Sequence, residues 1–360
     1  MKYRKLGNTG IIVSAVTLGT MQFGMQMNMG RLGQKETTEM INYALSKGIN
    51  CIDTADVYSR GESETLVGNS IKDIRNELVL TTKVRLPMSD NLNRSGATRK
   101  NIMQGIESSL KRLKTDYIDL YQIHGWDSST PMEETVRTLD DLVRQGKVRY
   151  IGFSNYLAWQ ASASIELQKQ LNLEKYVTAQ MHYSLVNRGI EDEFISFAEN
   201  YNIGILVWSP LAGGFLSGKY EKNKAAQKGT RFEEAGQFVP FDKEKGFAIV
   251  EVLKDIAGQR GVSPSRIALA WILARSQVSS VIIGARKIEH LDDNIQAVDL
   301  ELTVEEIGRL NKKSFSGIPY PKWMVLQLDV AEDPRTRILN PKLYDNGNLW
   351  EDLRNKRWKG

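Results

Sequence analysis

Three side chains that could do acid–base chemistry lie in or just after apolar strands. Lys83 interrupts the apolar run LTTKVRL, and a buried lysine is costly unless a carboxylate pairs with it. Asp53 ends INCID at the equivalent level of the preceding predicted strand. Adjacent parallel strands lie about 4.8 Å apart, so the two charges can meet. Tyr58 follows Asp53 closely enough for a loop to fold back over the strand ends.

The chemistry these residues predict is proton transfer. A phenol beside an ammonium group has a lowered pKa, because the positive charge favours the phenolate. Tyr58 thereby becomes a usable proton donor and, in reverse, a base. His124, which ends YIDLYQIH, adds an imidazole that can orient a carbonyl oxygen. Asp56 lies in the same stretch, but no group at another strand end requires it, and no role is assigned to it.

The elements that must position these residues repeat as a short β-branched run followed by a helix-period segment. Eight strands alternating with helices favour an α/β fold of the closed (β/α)8 TIM barrel type. An open doubly wound sheet would most naturally show G-x-G-x-x-G after its first strand, and this motif is absent. The predicted strands span 12–20, 49–55, 78–84, 117–124, 148–155, 177–184, 204–210 and 279–285, and the helical patterns include 35–48, 98–114, 131–147 and 264–276.

Three segments fall outside this repeat. MKYRKLGNTGIIV predicts an N-terminal β-hairpin around residues 7–10 that could close the barrel floor. The long loop 211–245 is rich in glycine and charge, which is typical of functional or disordered loops. Residues 1–313 are assigned to the barrel and 314–360 to a C-terminal extension. Its tryptophans argue against simple disorder and predict packing on the barrel or on a partner subunit.

Most predicted strands end in a polar residue. In a barrel of parallel strands these ends project onto one face, where the active sites of this fold are built. Such a repeated pattern is much less expected by chance than any single polar strand end. The residues concerned are Thr20, Asp53, Lys83, His124, Ser154 with Asn155, Gln180 with His182, and Ser209.

Composition excludes several classes of protein. The net charge of +5 is spread along the 360 residues rather than gathered in a basic stripe, so nucleic-acid binding is not expected. The single cysteine, Cys51, excludes a disulfide framework and indicates a reducing compartment. The three histidines lack ligand spacing, so no metal site is expected. No apolar run has membrane-spanning length and the N-terminus has no secretory h-region, which predicts a cytoplasmic protein with no membrane contact.

At this level of detail the sequence resembles the aldo-keto reductase family, in the branch that holds bacterial and potassium-channel β-subunit-like members. The resemblance covers about residues 1–313 and implies the barrel described above. It also implies a catalytic tetrad of Asp53, Tyr58, Lys83 and His124. The segments that carry it, in order, are GINCIDTADVY, TTKV, LKRLKTDYIDLYQIH, GKVRYIGFSN, VTAQMHYS, WSPLAGGFLSGKY and IIGARKIEHLDDNI.

The resemblance further implies a nicotinamide cofactor lying extended across the carboxyl end of the barrel. NADP(H) is favoured over NAD(H), because the planar fork of Arg286 suits a 2′-phosphate. Ser154, Asn155 and Gln180 match carboxamide ligands, and Trp208 matches a ring stacked on the nicotinamide. The other implied contacts are Gly19, Thr20, Met21 and Asp53 beside the cofactor, Ser209, Pro210, Leu211, Gly213 and Lys219 at the pyrophosphate, and Gly284, Arg286, His290, Asp293 and Asn294 at the adenosine phosphate.

The function expected from this resemblance is NADPH-dependent reduction of an aldehyde or ketone, sugar-type carbonyls included. Tyr58, His124 and Trp126 are the expected substrate contacts, and a homo-oligomer is compatible with the sequence. The pocket walls are expected from residues 25–33, 85–94, 126–129 and the tail, which mix methionine, tryptophan and arginine. Two alternatives stay open: a cofactor-binding, channel-type regulatory subunit with little turnover, and a Schiff-base aldolase that uses Lys83.

Overall fold

A closed barrel of eight parallel strands forms the body of the protein in a computed structural model that describes residues 1–26, 31–222, 224, 236 and 239–328. The barrel strands are β3 (Val16–Gly19), β4 (Cys51–Asp53), β5 (Val79–Val84), β6 (Ile118–Ile123), β7 (Val148–Ser154), β8 (Tyr176–His182), β9 (Gly204–Trp208) and β10 (Val278–Ile283). Their hydrogen-bonded order follows the chain, and β10 closes the circle between β9 and β3. The predicted (β/α)8 TIM barrel is confirmed.

Helices connect successive strands and bury one face against the barrel. The helices of the described residues are α1 (Gln34–Ser46), α2 (Glu62–Ile71), α3 (Arg99–Leu113), α4 (Met132–Arg144), α5 (Ala158–Gln170), α6 (Phe194–Tyr201), α7 (Lys243–Arg260), α8 (Pro264–Leu273), α9 (Ile288–Ile295), α10 (Val304–Ser314) and α11 (Lys322–Val325). Their ends follow local chemistry. The Thr98 hydroxyl accepts the Asn101 N–H at the start of α3, and Ser263 with Pro264 opens α8.

The first predicted strand, 12–20, was wrong as one element. Residues Ile12–Ser14 form β2, which pairs antiparallel with β1 (Tyr3–Lys5), and only Val16–Gly19 enters the barrel. Ala15 separates the two strands, and its N–H donates to the Lys2 carbonyl at 2.9 Å. A continuous β-branched run does not reveal such a break, because both halves are equally suited to a strand.

The N-terminal hairpin closes the barrel floor, as predicted. Leu6 and Val13 pack with apolar side chains of the barrel interior, namely Cys51, Val79, Leu120, Leu206 and Ile282. Gly7 in the hairpin turn has φ +57, and a Cβ there would lie 2.2 Å from the Val177 carbonyl oxygen. Only glycine therefore lets the hairpin approach the first residues of β8 this closely.

The chain divides into two compact units, residues 1–315 and 316–360. The first holds the barrel and its helices. The described part of the second contains α11, and Trp350 and Trp358 lie outside the described residues, so the packing of the extension stays a prediction. No helix among the described residues combines the length and apolar character needed to cross a membrane.

The polar strand ends lie at one end of the barrel. Asp53, Ser154 and His182 are the last residues of β4, β7 and β8, while Thr20, His124 and Ser209 directly follow β3, β6 and β9. Because all eight strands are parallel, these residues share the carboxyl-terminal rim.

Candidate active site

Lys83 and Asp53 form an ion pair inside the barrel. Both side chains are buried, and Lys83 Nζ donates to Asp53 Oδ2 at 2.7 Å and to the Thr54 carbonyl oxygen at 2.7 Å. The strand register pairs Asp53 with Thr81, so the expectation that Lys83 lies at the same level is wrong by two residues. Alternate residues of a strand face the same side, and the long lysine side chain reaches back across this offset.

The Asp53 carboxylate is also fixed by side chains of β5 and β8. Its Oδ1 accepts hydrogen bonds from Thr81 Oγ1 at 2.7 Å and from Gln180 Nε2 at 2.8 Å. Burial by itself lowers the pKa of Lys83, but the Asp53 carboxylate and the Tyr58 phenol together raise that pKa above its usual value. Lys83 is therefore held as an ammonium ion at a fixed position.

Tyr58 is brought to this ammonium by the loop after β4. It begins a short 3₁₀ turn, Tyr58–Gly61, and its half-buried hydroxyl oxygen accepts from Lys83 Nζ at 3.4 Å. Ser59 and Arg60 have φ angles of 46° and 53°, and Ser59 Oγ donates to the Phe23 carbonyl at 3.0 Å. These left-handed residues turn the loop back over the mouth of the barrel.

His124 completes the group from the end of β6. Its ring lies edge-on to the Tyr58 ring, with centroids 5.8 Å apart, and its buried Nδ1 has no partner among the described residues. Burial, followed by the positive charges of Lys83 and Arg85, lowers the pKa of His124 well below 6.5. The imidazole is therefore neutral at neutral pH. The structure thus brings the four predicted catalytic residues together.

The three predicted carboxamide ligands lie next to this group and are linked to one another. Ser154 Oγ donates to the Gln180 carbonyl at 2.7 Å, and Asn155 Nδ2 donates to Ser154 Oγ at 2.9 Å. Gln180 in turn donates to Asp53, as described above. Asn155 Oδ1 also accepts from Trp208 Nε1 at 3.0 Å, which fixes the half-buried indole at the end of β9. A planar ring therefore stands beside amide and hydroxyl groups, which suits a nicotinamide.

The loop after β9 suits a pyrophosphate through its backbone conformation and one cation. Ser209, Ala212, Gly213 and Gly214 all have positive φ angles, between 49° and 89°. Runs of this kind form concave surfaces lined by N–H groups. Several of these N–H groups already bond within the loop, as Gly214 does to the Leu211 carbonyl at 3.0 Å.

Lys219 Nζ lies 3.3 Å from where a Cβ on Gly214 would stand, so it adds positive charge at the loop. Pro210 is buried and Leu211 half-buried in the same loop.

The predicted adenosine-phosphate residues lie after β10, and their side chains differ in availability. Arg286 is half-buried, and Gly284 and His290 are exposed. Asn294 is buried, and Asp293 accepts from Arg266 Nε at 2.7 Å and from Ser263 Oγ at 2.6 Å. Asp293 is thus bound within its own chain. Of the predicted residues, Arg286 has the guanidinium group whose chemistry suits a phosphate.

The last residue of β3 and the two residues after it pack closely against the barrel rim. A Cβ on Gly19 would lie 2.7 Å from the Ile282 side chain, so glycine is required by packing alone. Thr20 is buried, and its carbonyl and hydroxyl both accept from Ser63 Oγ at 2.9 Å. Met21 is half-buried at the same edge.

Trp126, the remaining predicted substrate contact, lies two residues beyond His124. Its ring packs edge-on against Tyr156 at 5.1 Å and against Trp159 at 6.0 Å between centroids. Trp159 keeps 60% of its surface exposed. An aromatic wall therefore borders the His124 side of the site.

Comparison with known proteins identifies the family of this chain. A profile of the aldo/keto reductase family matches residues 15–314. The chain belongs to this family. Among its relatives, the uncharacterized oxidoreductase YrpG of Bacillus subtilis is 37% identical, over 86% of this chain and 95% of the relative. Versiconal hemiacetal acetate reductase of Aspergillus parasiticus is 32% identical, over 87% and 96%. A putative voltage-gated potassium channel subunit beta of Schizosaccharomyces pombe is 36% identical, over 86% and 92%.

Family membership and the named reductases support an oxidoreductase. The barrel and the rim that carries the predicted tetrad both fall within the matched residues. Among the parts of the chain that the structure describes, no group of three or more His, Cys, Asp or Glu side chains is arranged to hold a metal ion.

Behind the tetrad, this aldo/keto reductase buries a second charged group that the sequence did not reveal. Glu64 on α2 is fully buried and accepts from Arg112 Nε at 2.7 Å and from Thr82 Oγ1 at 2.5 Å. Asp56 is also buried, and its Oδ1 has no partner among the described residues. The segment GESE resembles an exposed loop, and Arg112 lies far away in the sequence, so nothing local marks the pair.

Asp56 is expected to be a neutral acid in the folded protein, and the free energy of unfolding should therefore fall as pH rises. Burial, reinforced by Glu64, raises its pKa from 3.8 to about 8. Between these values the unfolded chain loses the proton and the folded chain keeps it. The free energy of unfolding then falls with rising pH, by at most about 1.4 kcal/mol per pH unit. Asp56→Asn does not titrate, so its advantage in Tm over the wild type should grow as pH rises from about 5 to 8 and then level off.

The matched control is Asp116→Asn, which removes an exposed carboxyl group. Its difference in Tm from the wild type should stay nearly constant over the same range. A difference for Asp56→Asn that does not change with pH would mean that this carboxyl group is ionised in the folded protein.

Proposed function

We propose that this protein is an NADPH-dependent carbonyl reductase that converts an aldehyde or ketone, sugar-type carbonyls included, to an alcohol. The observation that carries the proposal is the meeting of Asp53, Tyr58, Lys83 and His124 at the carboxyl-terminal end of the barrel. There the Tyr58 hydroxyl oxygen lies 3.4 Å from the Lys83 ammonium nitrogen.

Tyr58 is the proton donor in this proposal. The neighbouring Lys83 ammonium stabilises a phenolate, so the phenol gives its proton to the substrate oxygen more readily. His124 is a poor alternative, because its lowered pKa leaves it neutral. A neutral imidazole can still donate one N–H to the carbonyl oxygen and orient it. Asp53 keeps Lys83 charged and in place.

The residues around the tetrad fit a nicotinamide dinucleotide. When bound, its reduced ring supplies the hydride that the carbonyl carbon accepts. Ser154, Asn155 and Gln180 offer amide and hydroxyl groups for the carboxamide, and Trp208 offers a ring face. Lys219 and the left-handed loop at Gly213 would hold the diphosphate. Arg286 gives the preference for NADPH over NADH, because a guanidinium group binds a 2′-phosphate in bidentate fashion.

A Schiff-base aldolase fits the site less well. Its lysine must be a free amine, which requires a lowered pKa. Lys83 has a raised pKa and is fully buried in contact with a carboxylate. The geometry around Lys83 therefore favours a role for its charge over a role as nucleophile.

A cofactor-binding subunit with little turnover is the second candidate, and the relatives favour it. Besides the Schizosaccharomyces pombe protein, relatives from Oryza sativa and Arabidopsis thaliana are named probable voltage-gated potassium channel subunit beta, each 34% identical. The convergent tetrad still favours turnover in this chain. Location in the cytoplasm and self-association stay predictions.

The test is oxidation of reduced cofactor by the purified protein with a panel of aldehydes, ketones and keto-sugars. We expect loss of NADPH absorbance with at least one carbonyl compound, and slower oxidation of NADH. Arg286→Leu should reduce the ratio of NADPH to NADH oxidation rates by about 10-fold or more, because one charge-assisted contact is lost. Tight binding of NADPH without turnover of any carbonyl would favour the regulatory subunit. Trapping of substrate carbon on Lys83 by borohydride would favour the aldolase.

A further inference from the structure

Arg85 stands at the mouth of the barrel in an unusual backbone conformation. It directly follows β5, two residues beyond Lys83, and is half-buried. Its φ is 140°, a region that side-chain-bearing residues rarely adopt, and its carbonyl accepts the Gly96 N–H at 2.8 Å. Strained residues of this kind are retained where the surrounding structure needs the side chain in one place.

The guanidinium of Arg85 has few partners. One terminal nitrogen donates to the Trp126 carbonyl at 3.1 Å. The buried Nε has no hydrogen-bond partner in the described chain, and no carboxylate of those residues lies within ion-pair distance. A buried N–H donor without an acceptor is costly, because the loss of its hydration is not offset by a hydrogen bond. Arg85 therefore keeps a donor that an oxygen atom of an anion could accept from.

Asp127 is the acid that could have filled this role, and it serves the loop instead. Its Oδ2 accepts from the Ala97 N–H at 2.7 Å and from Thr130 Oγ1 at 2.6 Å, and its Oδ1 accepts from the Ser129 N–H at 3.0 Å. The two other charged pairs near the site are internally neutral, since Lys83 pairs with Asp53 and Arg112 with Glu64. Burial raises the pKa of Asp127, but its hydrogen bonds from Thr130, Ala97 and Ser129, followed by the charge of Arg85, lower it below its usual value. Asp127 is thus near enough to interact with the positive charge of Arg85, but no carboxylate among the described residues forms an ion pair with that guanidinium.

Arg85 also lies beside residues that the proposed function assigns to the substrate. Its charge contributes to the lowered pKa of His124, which places the guanidinium near the imidazole proposed to orient the carbonyl oxygen. Its hydrogen bond to Trp126 ties it to the aromatic wall beside His124. An anionic group on a substrate held at Tyr58 and His124 would meet this guanidinium.

We propose that Arg85 binds an anionic group, a carboxylate or a phosphate, carried by the carbonyl substrate. This inference rests on the proposed reductase function and specifies its substrate class: carbonyl compounds with a negative charge a few bonds from the reacting carbon. The planar guanidinium suits both anions because it donates two parallel N–H groups to a pair of oxygens.

The test compares substrates that differ only in charge. The carboxylate pair is para-carboxybenzaldehyde and its methyl ester, and the phosphate pair is glyceraldehyde phosphate and glyceraldehyde. We expect the wild type to show a higher kcat/KM for the charged member of at least one pair, and the pair that responds identifies the anion. Arg85→Gln should reduce that charged-to-neutral ratio by roughly 10- to 100-fold, mainly through KM, as expected for one hydrogen bond to a charged group.

Two further variants separate binding from a general effect of charge. Arg85→Lys keeps the charge and should restore part of the ratio. Arg99→Gln removes an arginine that is exposed and already paired with Asp141, and it should leave the ratio unchanged. Equal ratios in the wild type and Arg85→Gln, or a wild-type preference for both neutral substrates, would overturn the proposal.

A binding measurement distinguishes failure of this inference from failure of the proposed function. The change in Tm is recorded with NADP⁺ and one of two charged probes, para-hydroxymethylbenzoate or glycerol phosphate. The uncharged control for the first probe is its methyl ester, and the control for the second is glycerol. If no carbonyl is reduced but a charged probe raises Tm in the wild type and not in Arg85→Gln, the reductase proposal fails and the anion site stands. If neither charged probe shifts Tm more than its neutral partner, the anion site is refuted whatever the turnover.

Discussion

Replacing Tyr58 with phenylalanine is expected to abolish carbonyl reduction while NADPH still binds. The variant keeps the ring that packs edge-on against His124 and removes only the hydroxyl group beside Lys83. Loss of a general acid typically reduces the rate by about 10²- to 10⁴-fold. Because His124 is neutral, it does not replace the phenol as the acid. The loss should therefore appear in kcat, measured by NADPH oxidation at saturating substrate, with little change in the Kd for NADPH measured by fluorescence.

The matched control is Tyr117→Phe, which also removes one phenolic hydroxyl group. That exposed hydroxyl donates to Asn76, and Tyr117 directly precedes β6, so it lies at the end of the strand opposite to His124. Its variant should reduce carbonyls at the wild-type rate. Turnover by Tyr58→Phe within a few-fold of the wild type would show that another group supplies the proton, and the proposed roles of the tetrad would be wrong.

Much of the barrel could be predicted because its signals are local. Apolar β-branched runs and helix-period segments alternate along the chain, and the resulting strand count and order were confirmed. The break at Ala15 was not predictable, since Ile12–Ser14 and Val16–Gly19 have the same β-strand character and only tertiary pairing separates them. Local pattern specifies an element's type better than its partner.

The candidate site shows the same division. Tyr58, Lys83 and His124 are visible in the sequence because each is a polar residue at a strand end or in the loop that follows. The register that sets Asp53 opposite Thr81 is not visible, because a closed barrel staggers its strands by an amount that no single strand encodes. Glu64 and Arg112 were missed for a similar reason, since their contact is formed by two helices packed together.

The position of Arg85 could be judged only after the charged groups nearest the site had been matched with their partners. In the sequence it is one of 48 lysines and arginines. It follows Lys83 closely and resembles an ordinary loop arginine. In the structure Lys83 and Arg112 each have a buried acid, and Asp56 has a pKa of about 8 and is mostly neutral at neutral pH. Arg85 is thereby distinguished by its unpartnered Nε and by the lack of an ion pair with any described carboxylate.

The buried Lys83–Asp53 pair is expected to lower stability when it is broken and to be dispensable for folding when it is removed whole. Lys83→Met leaves the Asp53 carboxylate buried with its hydrogen bonds from Thr81 and Gln180. Asp53→Asn leaves the Lys83 ammonium without its acid. Each single variant should lose about 3 to 5 kcal/mol of unfolding free energy, measured by urea denaturation, because one charge stays buried and uncompensated.

The double variant Asp53→Asn with Lys83→Met should recover most of that stability, because neither buried charge remains. It should still fail to reduce carbonyls, since Tyr58 no longer has an ammonium neighbour to favour its phenolate. Restored stability without restored turnover would show that the pair is retained for chemistry rather than for folding. Restoration of both stability and turnover would remove Lys83 from the proposed mechanism. If the losses of unfolding free energy in the two single variants simply add in the double variant, the two side chains are not energetically coupled, despite the 2.7 Å contact between them.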